Sequence, residues 1–310
     1  MAKATREAYG EALKKLAASN PDIVVLDADL SGSTKTSEFK KVSPERFFNV
    51  GIAEQNLIGT AAGLALAGKI PFASSFAMFA AGRAFEIIRN TVAYPALNVK
   101  IAATHAGLSV GEDGGSHQAI EDISLMRSIP NMTVISPADS REAEQAVLKA
   151  AEYVGPVYIR LGRMAVDDVY DDSYVFELGK GVLLREGKDV TIIATGLMVQ
   201  EALKAHDMLK EDGIDARLIN IHTIKPIDTE IIIKAARETG AIVTAEEHSN
   251  IGGLGSAVLE VLSDQCPVPV KRVGIRDTFG ESGKPKDLLK KYGLTAEDIA
   301  AQAKEVLKLK

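Results

Sequence analysis

Cysteine is almost missing from this sequence, since Cys266 is the single example in 310 residues. One thiol cannot form an internal disulfide, and it cannot build a cysteine-based metal cluster. Disulfide-framework and cysteine-metal proteins are therefore excluded. We expect Cys266 to be an ordinary packing residue.

Basic blocks and long apolar runs are also missing. Lys and Arg total 36 against 42 Asp and Glu, which gives a formal net charge of −6. Without a basic stretch that gathers phosphates, nucleic-acid binding is not expected. The first segment, MAKATREAYGEALKK, is charged, and no later run is long enough to span a bilayer. We therefore expect no signal peptide and no membrane segment, and we predict a cytoplasmic location.

Several short catalytic signatures are missing as well. The sequence has no GxSxG elbow, no Walker loop and no HExxH pair. Hydrolase, P-loop and zincin functions therefore lack the residues that they need. No histidine spacing matches a zinc motif that we can defend mechanistically, so we predict no metal ligands in this chain.

Apolar runs that alternate with helical patterns are the main feature that is present. The spacing predicts a helix over residues 4–17 and a buried strand over 23–26, and the alternation continues to a strand at 157–161. Such alternation is typical of a parallel sheet covered by helices on both faces. The length and the 46% hydrophobic content are those of a globular chain of about two domains.

The periodicity lapses after residue 161 and resumes near residue 190. The interval includes the acidic stretch DDVYDDSYVFE, which is typical of an exposed connection. We predict a first domain over 1–165, a linker over 166–188 and a second, smaller domain over 189–310. The predicted fold class is α/β, with two three-layer domains and mainly parallel sheets.

Reactive groups in such folds are expected in the turns after the strands, at the carboxyl ends. The first of these turns, DADLSGST, contains Asp29 and Ser33 and is either an ordinary polar turn or an anion-binding turn. The second, NVGIAEQN, begins a helix with Glu54 among apolar neighbours. That acid is either a helix-start carboxylate or a partly desolvated acid suited to proton transfer, and spacing alone does not choose.

Three further segments follow the later strands. Phe76, Phe79 and Phe85 are spaced as core residues, or as aromatic side chains against a flat cofactor. The loop THAGLSVGEDGGSHQ is rich in glycine and titratable groups, which favours a function in ligand binding and proton transfer. Its titratable residues are His105, Glu112, Asp113 and His117. The segment IRLGRMA offers Arg160 and Arg163 for a phosphate or carboxylate, whereas IGGLG at 251–255 indicates tight helix packing.

Taken in order, these segments resemble the pyrimidine-binding domain of transketolases. The resemblance rests on DADLSGS, NVGIAEQN, SSFAMFAAGRAFE, HAGLSVGEDGGSHQ and RLGR. It continues through ATGLMVQEAL, INIHTIKPID, TAEEHSNIGGLG and DTFGESGKPKDLLKKYGL, which are similar to the transketolase C-terminal domain. The most specific part is GEDGGSHQ.

The resemblance implies a role for each matching residue around thiamine diphosphate. Glu54 matches the acid that hydrogen-bonds the aminopyrimidine ring, and Phe76 and Phe79 match the aromatic side of that ring's pocket. Asp113 matches a residue that binds a hydroxyl of the ketose donor, and His117 matches a catalytic histidine at a substrate hydroxyl.

The remaining matches concern the sugar phosphate and the subunit interface. Arg6, Ser33, His105 and Arg163 match residues that bind the phosphate end of the substrate. Asp29 matches an acid near the cofactor and the interface. The reaction implied is transfer of a two-carbon ketol unit from a ketose phosphate to an aldose phosphate, as in the pentose phosphate pathway.

The family motif for the diphosphate and its Mg²⁺, a GDG with a later Asn, has no match in this sequence. We therefore expect a split enzyme, in which a separate amino-terminal subunit holds the diphosphate and metal. We also expect self-association as a dimer within a heterotetramer. A deoxyxylulose-phosphate synthase, a two-oxoacid dehydrogenase beta subunit and a non-catalytic binding module remain as alternatives.

Overall fold

The computed structural model describes residues 2–310. Its strands are β1 (Lys3–Ala4), β2 (Ile23–Asp27), β3 (Phe47–Asn49), β4 (Ile70–Phe76), β5 (Lys100–Thr104), β6 (Thr133–Ile135), β7 (Val157–Arg160), β8 (Ala165–Val166), β9 (Val182–Arg185), β10 (Val190–Ala194), β11 (Ala216–Asn220), β12 (Thr223–Lys225), β13 (Ile242–Ser249) and β14 (Val270–Ile275).

Helices alternate with these strands along the chain. The α-helices are α1 (Thr5–Ser19), α2 (Ser31–Thr34), α3 (Ser37–Val42), α4 (Glu54–Leu66), α5 (Phe85–Ile87), α6 (Asp122–Ser128), α7 (Ser140–Glu152), α8 (Met198–Glu211), α9 (Thr229–Thr239), α10 (Leu254–Gln265), α11 (Pro285–Lys291) and α12 (Ala296–Leu307). Pro44–Arg46 and Leu108–Asp113 are 3-10 helical, and Met78–Arg83 and Ile88–Ala93 are π-helical.

The larger sheet has seven strands in the order β12-β6-β7-β5-β4-β2-β3. Its neighbouring strands are parallel except for β12, which is antiparallel to β6. Strands β2, β4, β5 and β7 are buried on both faces, as their nearly continuous apolar runs require. Because parallel strands end at the same edge, the residues that follow β2, β3, β4 and β5 meet there.

The second main sheet has five strands in the order β14-β13-β10-β11-β9, and only β9 pairs antiparallel. Strands β1 and β8 form a separate two-stranded antiparallel sheet. Helices α8 and α12 pack on one core of the five-stranded sheet and α9 and α10 on another. Cys266 is half-buried against the latter core. The predicted α/β class with mainly parallel sheets is confirmed. Strand β9 lies within the 166–188 stretch predicted as a linker.

The two sheets are joined by more than the linker. Strand β12 comes from the second half of the chain but completes the edge of the first sheet, where Lys225 Nζ donates to the carbonyls of Arg127 (2.8 Å) and Ile129 (2.6 Å). Arg160, at the end of β7, donates to the carbonyl of Glu247 in β13 at 2.9 Å. Of the helices in residues 2–310, none is both long and apolar enough to cross a bilayer.

Candidate active site

Aromatic and imidazole rings cluster at the carboxyl end of β4. The Phe76 ring, at the last residue of β4, stacks on that of Phe79 with centroids 6.1 Å apart, and on that of His105 at 3.8 Å. The His117 ring approaches Phe79 edgewise at 5.2 Å. Four of the predicted site residues therefore lie in one cluster, although they come from two separate segments of the sequence.

His105 is buried in this cluster with a positive φ of 57°, which turns the chain sharply after β5. Arg6 Nη1 lies 3.3 Å from His105 Nε2, and Thr104 Oγ1 lies 2.9 Å from Nδ1. Arginine can only donate, so Nε2 accepts and the ring proton is on Nδ1, directed at Thr104. Burial, with the charges of Arg6 and Arg163, lowers the pKa of His105 to about 3, and the ring is neutral at physiological pH.

Arg6 connects the start of α1 to the first predicted turn. Its Nη1 also donates to the backbone carbonyl of Ser33 at 2.8 Å, so Ser33 enters this network through its main chain. Burial lowers the pKa of Arg6, yet a guanidinium remains charged in proteins. Within residues 2–310 its Nε has no hydrogen-bond partner although it is buried. An anionic oxygen is the group that would satisfy such a donor.

Glu54 is the first residue of α4 and is 1% exposed. Ser75 Oγ, from β4, donates to its Oε1 at 3.3 Å, and Arg83 Nη1 donates to its Oε2 at 2.5 Å. The Arg83 guanidinium carbon lies 4.8 Å from the centre of the Phe79 ring. The predicted acid and the predicted aromatic side of the pocket are therefore neighbours.

The loop over residues 107–118, here called the substrate loop, brings Asp113 and Arg163 together. Arg163 Nη1 donates to the Val110 carbonyl and lies 3.7 Å from Asp113 Oδ2 and 3.5 Å from Glu112 Oε2. The Asp113 and Arg163 side chains are exposed by 41% and 36%. Both groups can be approached by a ligand.

Asp29 is the predicted site residue that stands apart. It is exposed, has a φ of 64°, and accepts a 2.8 Å hydrogen bond from Asn49 Nδ2 at the end of β3. The adjoining turn is organised by buried Asp27, whose carboxylate accepts from the hydroxyls of Thr34 and Thr36. Among the described residues, no hydrogen bond links Asp29 to the ring cluster.

Arg160 is not available to a ligand. It pairs with the buried carboxylate of Asp122 at 2.9 Å and is 7% exposed, so it is an internal ion pair between elements. His248, for which the sequence predicts no role, is buried with Nδ1 3.6 Å from Glu246 Oε2. Within residues 2–310, no group of three or more His, Cys, Asp or Glu side chains is placed to hold a metal ion.

Sequence reasoning missed three residues that shape the site. Arg83 contacts Glu54, Glu247 Oε1 accepts from the Ser109 amide at 2.6 Å, and Gln118 Nε2 donates to the Glu281 carbonyl at 2.9 Å. A usable signal existed for Arg83, because it follows Phe79 by four residues and helical spacing places such pairs on one face. Glu247 and Gln118 act across the two domains, which no local pattern indicates.

The site offers the groups that an aminopyrimidine and a sugar phosphate require. It has a buried carboxyl group at Glu54, aromatic rings at Phe76 and Phe79, and arginine donors and imidazole rings along the same sheet edge. The buried unpartnered Nε of Arg6 favours an anion at that end. The residues therefore fit the ring of thiamine diphosphate and the phosphate of a substrate, and within the described chain they include no cluster of three or more His, Cys, Asp or Glu side chains for a metal ion.

Comparisons with known proteins identify the family of this chain. The family model for the transketolase pyrimidine-binding domain matches residues 1–168, and that for the transketolase C-terminal domain matches residues 179–299. A putative transketolase C-terminal section from Methanocaldococcus jannaschii is 56% identical over 309 residues, which cover 99% of this chain and 97% of that protein. A 6-deoxy-6-sulfo-D-fructose transketolase subunit from a Clostridium species is 47% identical over 305 residues, with coverages of 98% and 95%.

A solved structure is similar over the same length. It is described as a split gene transketolase in an inactive beta4 tetramer, and it is 62% identical with 99% of both chains covered and a TM-score of 0.93. The resemblance predicted from the sequence is therefore confirmed, and family membership implies dependence on thiamine diphosphate. The chain belongs to the transketolase family and corresponds to the C-terminal section of a split transketolase.

Proposed function

We propose that this chain provides the aminopyrimidine and sugar-phosphate half of a site that transfers a two-carbon ketol unit from a ketose phosphate to an aldose phosphate. The observation that supports this most strongly is the position of Glu54. Its side chain is 1% exposed and accepts a hydrogen bond from Ser75. Arg83 contacts both this carboxyl group and the Phe79 ring. A buried acid beside a flat aromatic surface suits a ring that must be held and must exchange a proton.

The chain's own residues would hold and orient the cofactor ring. Glu54 would hydrogen-bond a ring nitrogen, and Phe76 and Phe79 would pack against the ring, which contributes about 0.5–1.5 kcal/mol beyond area burial. Bound thiamine diphosphate supplies the carbanion chemistry that carries the two-carbon unit between the sugars. Asp29, on the exposed first turn, would lie toward the subunit interface.

The substrate would extend from the rings toward the arginines. His117, edge-on to Phe79, would exchange a proton with a substrate hydroxyl, and Asp113 would accept a hydrogen bond from a donor hydroxyl. Arg6, Ser33 and Arg163 would bind the terminal anion directly, and His105 would contribute to that end of the site through Arg6. Because His105 is neutral with its Nε2 held by Arg6, it would position that arginine and offer no charge of its own.

A second chain would hold the diphosphate and a Mg²⁺ ion. Within residues 2–310 no group of three or more His, Cys, Asp or Glu side chains is placed to hold a metal ion, and the GDG motif has no match in the sequence. The similar solved structure, described as an inactive beta4 tetramer, supports both self-association and the need for a different subunit. We propose a heterotetramer in which two copies of each chain complete the sites.

The test is transfer from xylulose 5-phosphate to ribose 5-phosphate with thiamine diphosphate and Mg²⁺, comparing the chain alone with the chain plus its candidate amino-terminal partner. We expect activity only in the mixture. In that mixture Glu54→Gln should reduce kcat by roughly 10²- to 10⁴-fold without lowering the melting temperature, whereas the control Glu86→Gln, an exposed acid bonded to Asn90, should match wild type. Activity of the chain alone, or near-normal turnover by Glu54→Gln, would contradict the proposal.

The anion at the end of the substrate is open to a direct comparison. The Clostridium relative is named for a sulfonated sugar, and both phosphate and sulfonate accept from arginine. Donors that carry each group should be assayed side by side with the same acceptor. We expect the higher kcat/KM for the phosphate, because a phosphate monoester carries up to two negative charges and a sulfonate one, opposite Arg6 and Arg163. The reverse preference would keep the ketol transfer but replace the substrate class.

A further inference from the structure

The carboxyl group of Glu54 has a cationic partner that the proposed function does not use. Arg83 Nη1 donates to Glu54 Oε2 at 2.5 Å, and the guanidinium carbon lies 4.8 Å from the centre of the Phe79 ring. The Arg83 side chain is 49% exposed and that of Glu54 is 1% exposed. The guanidinium thus extends inward from the surface and contacts the buried acid and the aromatic ring together.

A guanidinium and an aminopyrimidine are similar in shape and in the contacts that they make with a binding site. Both are flat and both pack against aromatic faces. Both also present N–H donors at their edge, the aminopyrimidine through its amino group and through its ring nitrogen once that nitrogen has taken up a proton. One carboxylate oxygen cannot accept a short hydrogen bond from both at the same position. In this chain Arg83 therefore makes the two contacts that the proposed function assigns to the cofactor ring.

Electrostatics explain why Arg83 pairs with Glu54 when neither cofactor nor partner chain is bound. A buried carboxylate without a partner is costly, and a hydrogen-bonded cation offsets that cost. Ser75 supplies only a neutral hydroxyl, at 3.3 Å from Oε1. Arg83 is the charged group that compensates Glu54.

Few contacts hold the Arg83 side chain against Glu54. Among the described residues, Glu54 is the one hydrogen-bond partner of its guanidinium, while its backbone carbonyl accepts from Gln55 Nε2 at 3.4 Å. The residue ends the π-helical segment Met78–Arg83, and such segments are frequent at functional sites. A rotation of the side chain outward would break one ion pair and no other hydrogen bond of the guanidinium.

We infer that Arg83 occupies the position of the aminopyrimidine ring and has to withdraw from Glu54 before the cofactor binds. The inference rests on the proposed function, because it takes Glu54 and Phe79 as the site of the ring. When a side chain of the protein occupies a ligand's site, only the molecules in which that side chain has withdrawn can bind. The apparent Kd is then the intrinsic Kd divided by the fraction of those molecules. Removal of the occupant should therefore tighten binding.

The experiment measures binding of thiamine diphosphate, with Mg²⁺, to the complex of this chain and its partner by calorimetric titration. Arg83→Gln should bind roughly five- to fiftyfold more tightly than wild type, as expected when a partly exposed charged hydrogen bond no longer competes. Arg89→Gln is the matched control, because Arg89 is an exposed arginine of the same helical region whose guanidinium hydrogen-bonds only Asn90 among the described residues. It should bind like wild type.

Two further measurements separate the possible outcomes. Arg83→Lys keeps the charge that compensates Glu54, so it should fold even if Arg83→Gln does not, and its affinity should lie between those of wild type and Arg83→Gln. Free thiamine, titrated into the full chain alone, should show the same order of affinities without the partner. Equal or weaker binding by both Arg83 variants would overturn the inference, as would the lack of any cofactor binding. Loss of sugar transfer with this order of affinities intact would overturn only the proposed activity.

Discussion

His105 shows how the surroundings of one residue fix its chemistry. Both ring nitrogens have partners, Arg6 at 3.3 Å and Thr104 at 2.9 Å, and the ring stacks on Phe76. Protonation of Nε2 would place a donor against the donor of Arg6 and add a positive charge beside it. The geometry and the lowered pKa therefore agree, and His105 is a fixed neutral acceptor that holds Arg6.

A pH-dependent loss of stability follows from this assignment. The pKa of His105 is lowered from 6.5 to about 3, mainly by burial, so the unfolded chain takes up a proton between these values while the folded chain does not. This contribution to the free energy of unfolding is intact above about pH 6.5 and falls by about 1.4 kcal/mol per pH unit as the pH drops toward 3. His105→Asn tolerates the positive φ and removes the titration.

The measurement is urea unfolding of wild type and His105→Asn at pH 7, 6 and 5. Other groups titrate in both proteins, so the difference between the two proteins isolates the histidine. The wild-type free energy of unfolding should fall more steeply than that of the variant. Parallel pH profiles would show that His105 accepts a proton in the folded chain and would remove the tautomer assigned here.

At the scale of elements, the substrate loop is supported from the second domain. Gly107 begins it with φ 81° and ψ −176°, a conformation that only glycine adopts readily. A Cβ at this position would lie 2.3–2.5 Å from the Glu247 carboxyl atoms, whose Oε1 accepts from the Ser109 amide. Glu247 of strand β13 therefore fixes the position of the start of the loop that carries Asp113 and His117.

Gly107→Ala should displace this loop. We expect kcat/KM for the donor to fall by tenfold or more in the assembled enzyme, because displacements of about 1 Å cost that much in a positioned site. Affinity for thiamine diphosphate should change little, since Glu54 and Phe79 lie on other elements. Gly63→Ala is the control: it is an exposed helical position with no atom within 4 Å of the added Cβ. A loss of cofactor affinity equal to the loss of activity would argue against a role confined to the loop.

Elements with a strong local pattern were predictable from the sequence. The apolar run of β2 and the helical spacing of α1 lead directly to the observed elements, because burial on both faces or on one face leaves a clear pattern. Strand β9 has no such pattern: it is a partly exposed edge strand beside an acidic stretch. Strand β12 has three residues and follows β11 of the second domain in sequence, but it pairs with β6 in the sheet of the first domain.

The site was predictable only in part, because some of its contacts leave no local pattern in the sequence. Residue types in the turns after the strands indicate which side chains gather at the sheet edge, and the family motifs name their roles. The pairing of Glu54 with Arg83, separated by 29 positions, depends on how α4 packs beside β4 and the π-helical segment. Such contacts are set by tertiary packing, and neither periodicity nor local spacing encodes them.

At the scale of the whole molecule, buried charges connect the two sheets. Arg160 of the first sheet pairs with Asp122 at 2.9 Å and donates to the Glu247 carbonyl of the second sheet. Burial raises the pKa of the Glu247 carboxyl, while Arg160 and the Ser109 amide oppose that shift. Together with β12, this cluster predicts that the folding of each sheet depends on the other, and the substrate loop contacts Glu247 of the second sheet.

We therefore expect the wild-type chain to unfold in one calorimetric transition. Arg160→Met leaves Asp122 and Glu247 without their cation, which should cost about 3–5 kcal/mol and separate the transition into two. Arg217→Met is the control, since Arg217 is similarly buried but pairs with Glu186 and Glu238 inside the second domain. It should lower the melting temperature and keep a single transition, because the contacts between the sheets remain. Two transitions in the wild type would mean that the sheets fold independently. One unshifted transition in Arg160→Met would mean that the Arg160 cluster is not what couples them, and that other contacts such as β12 do so.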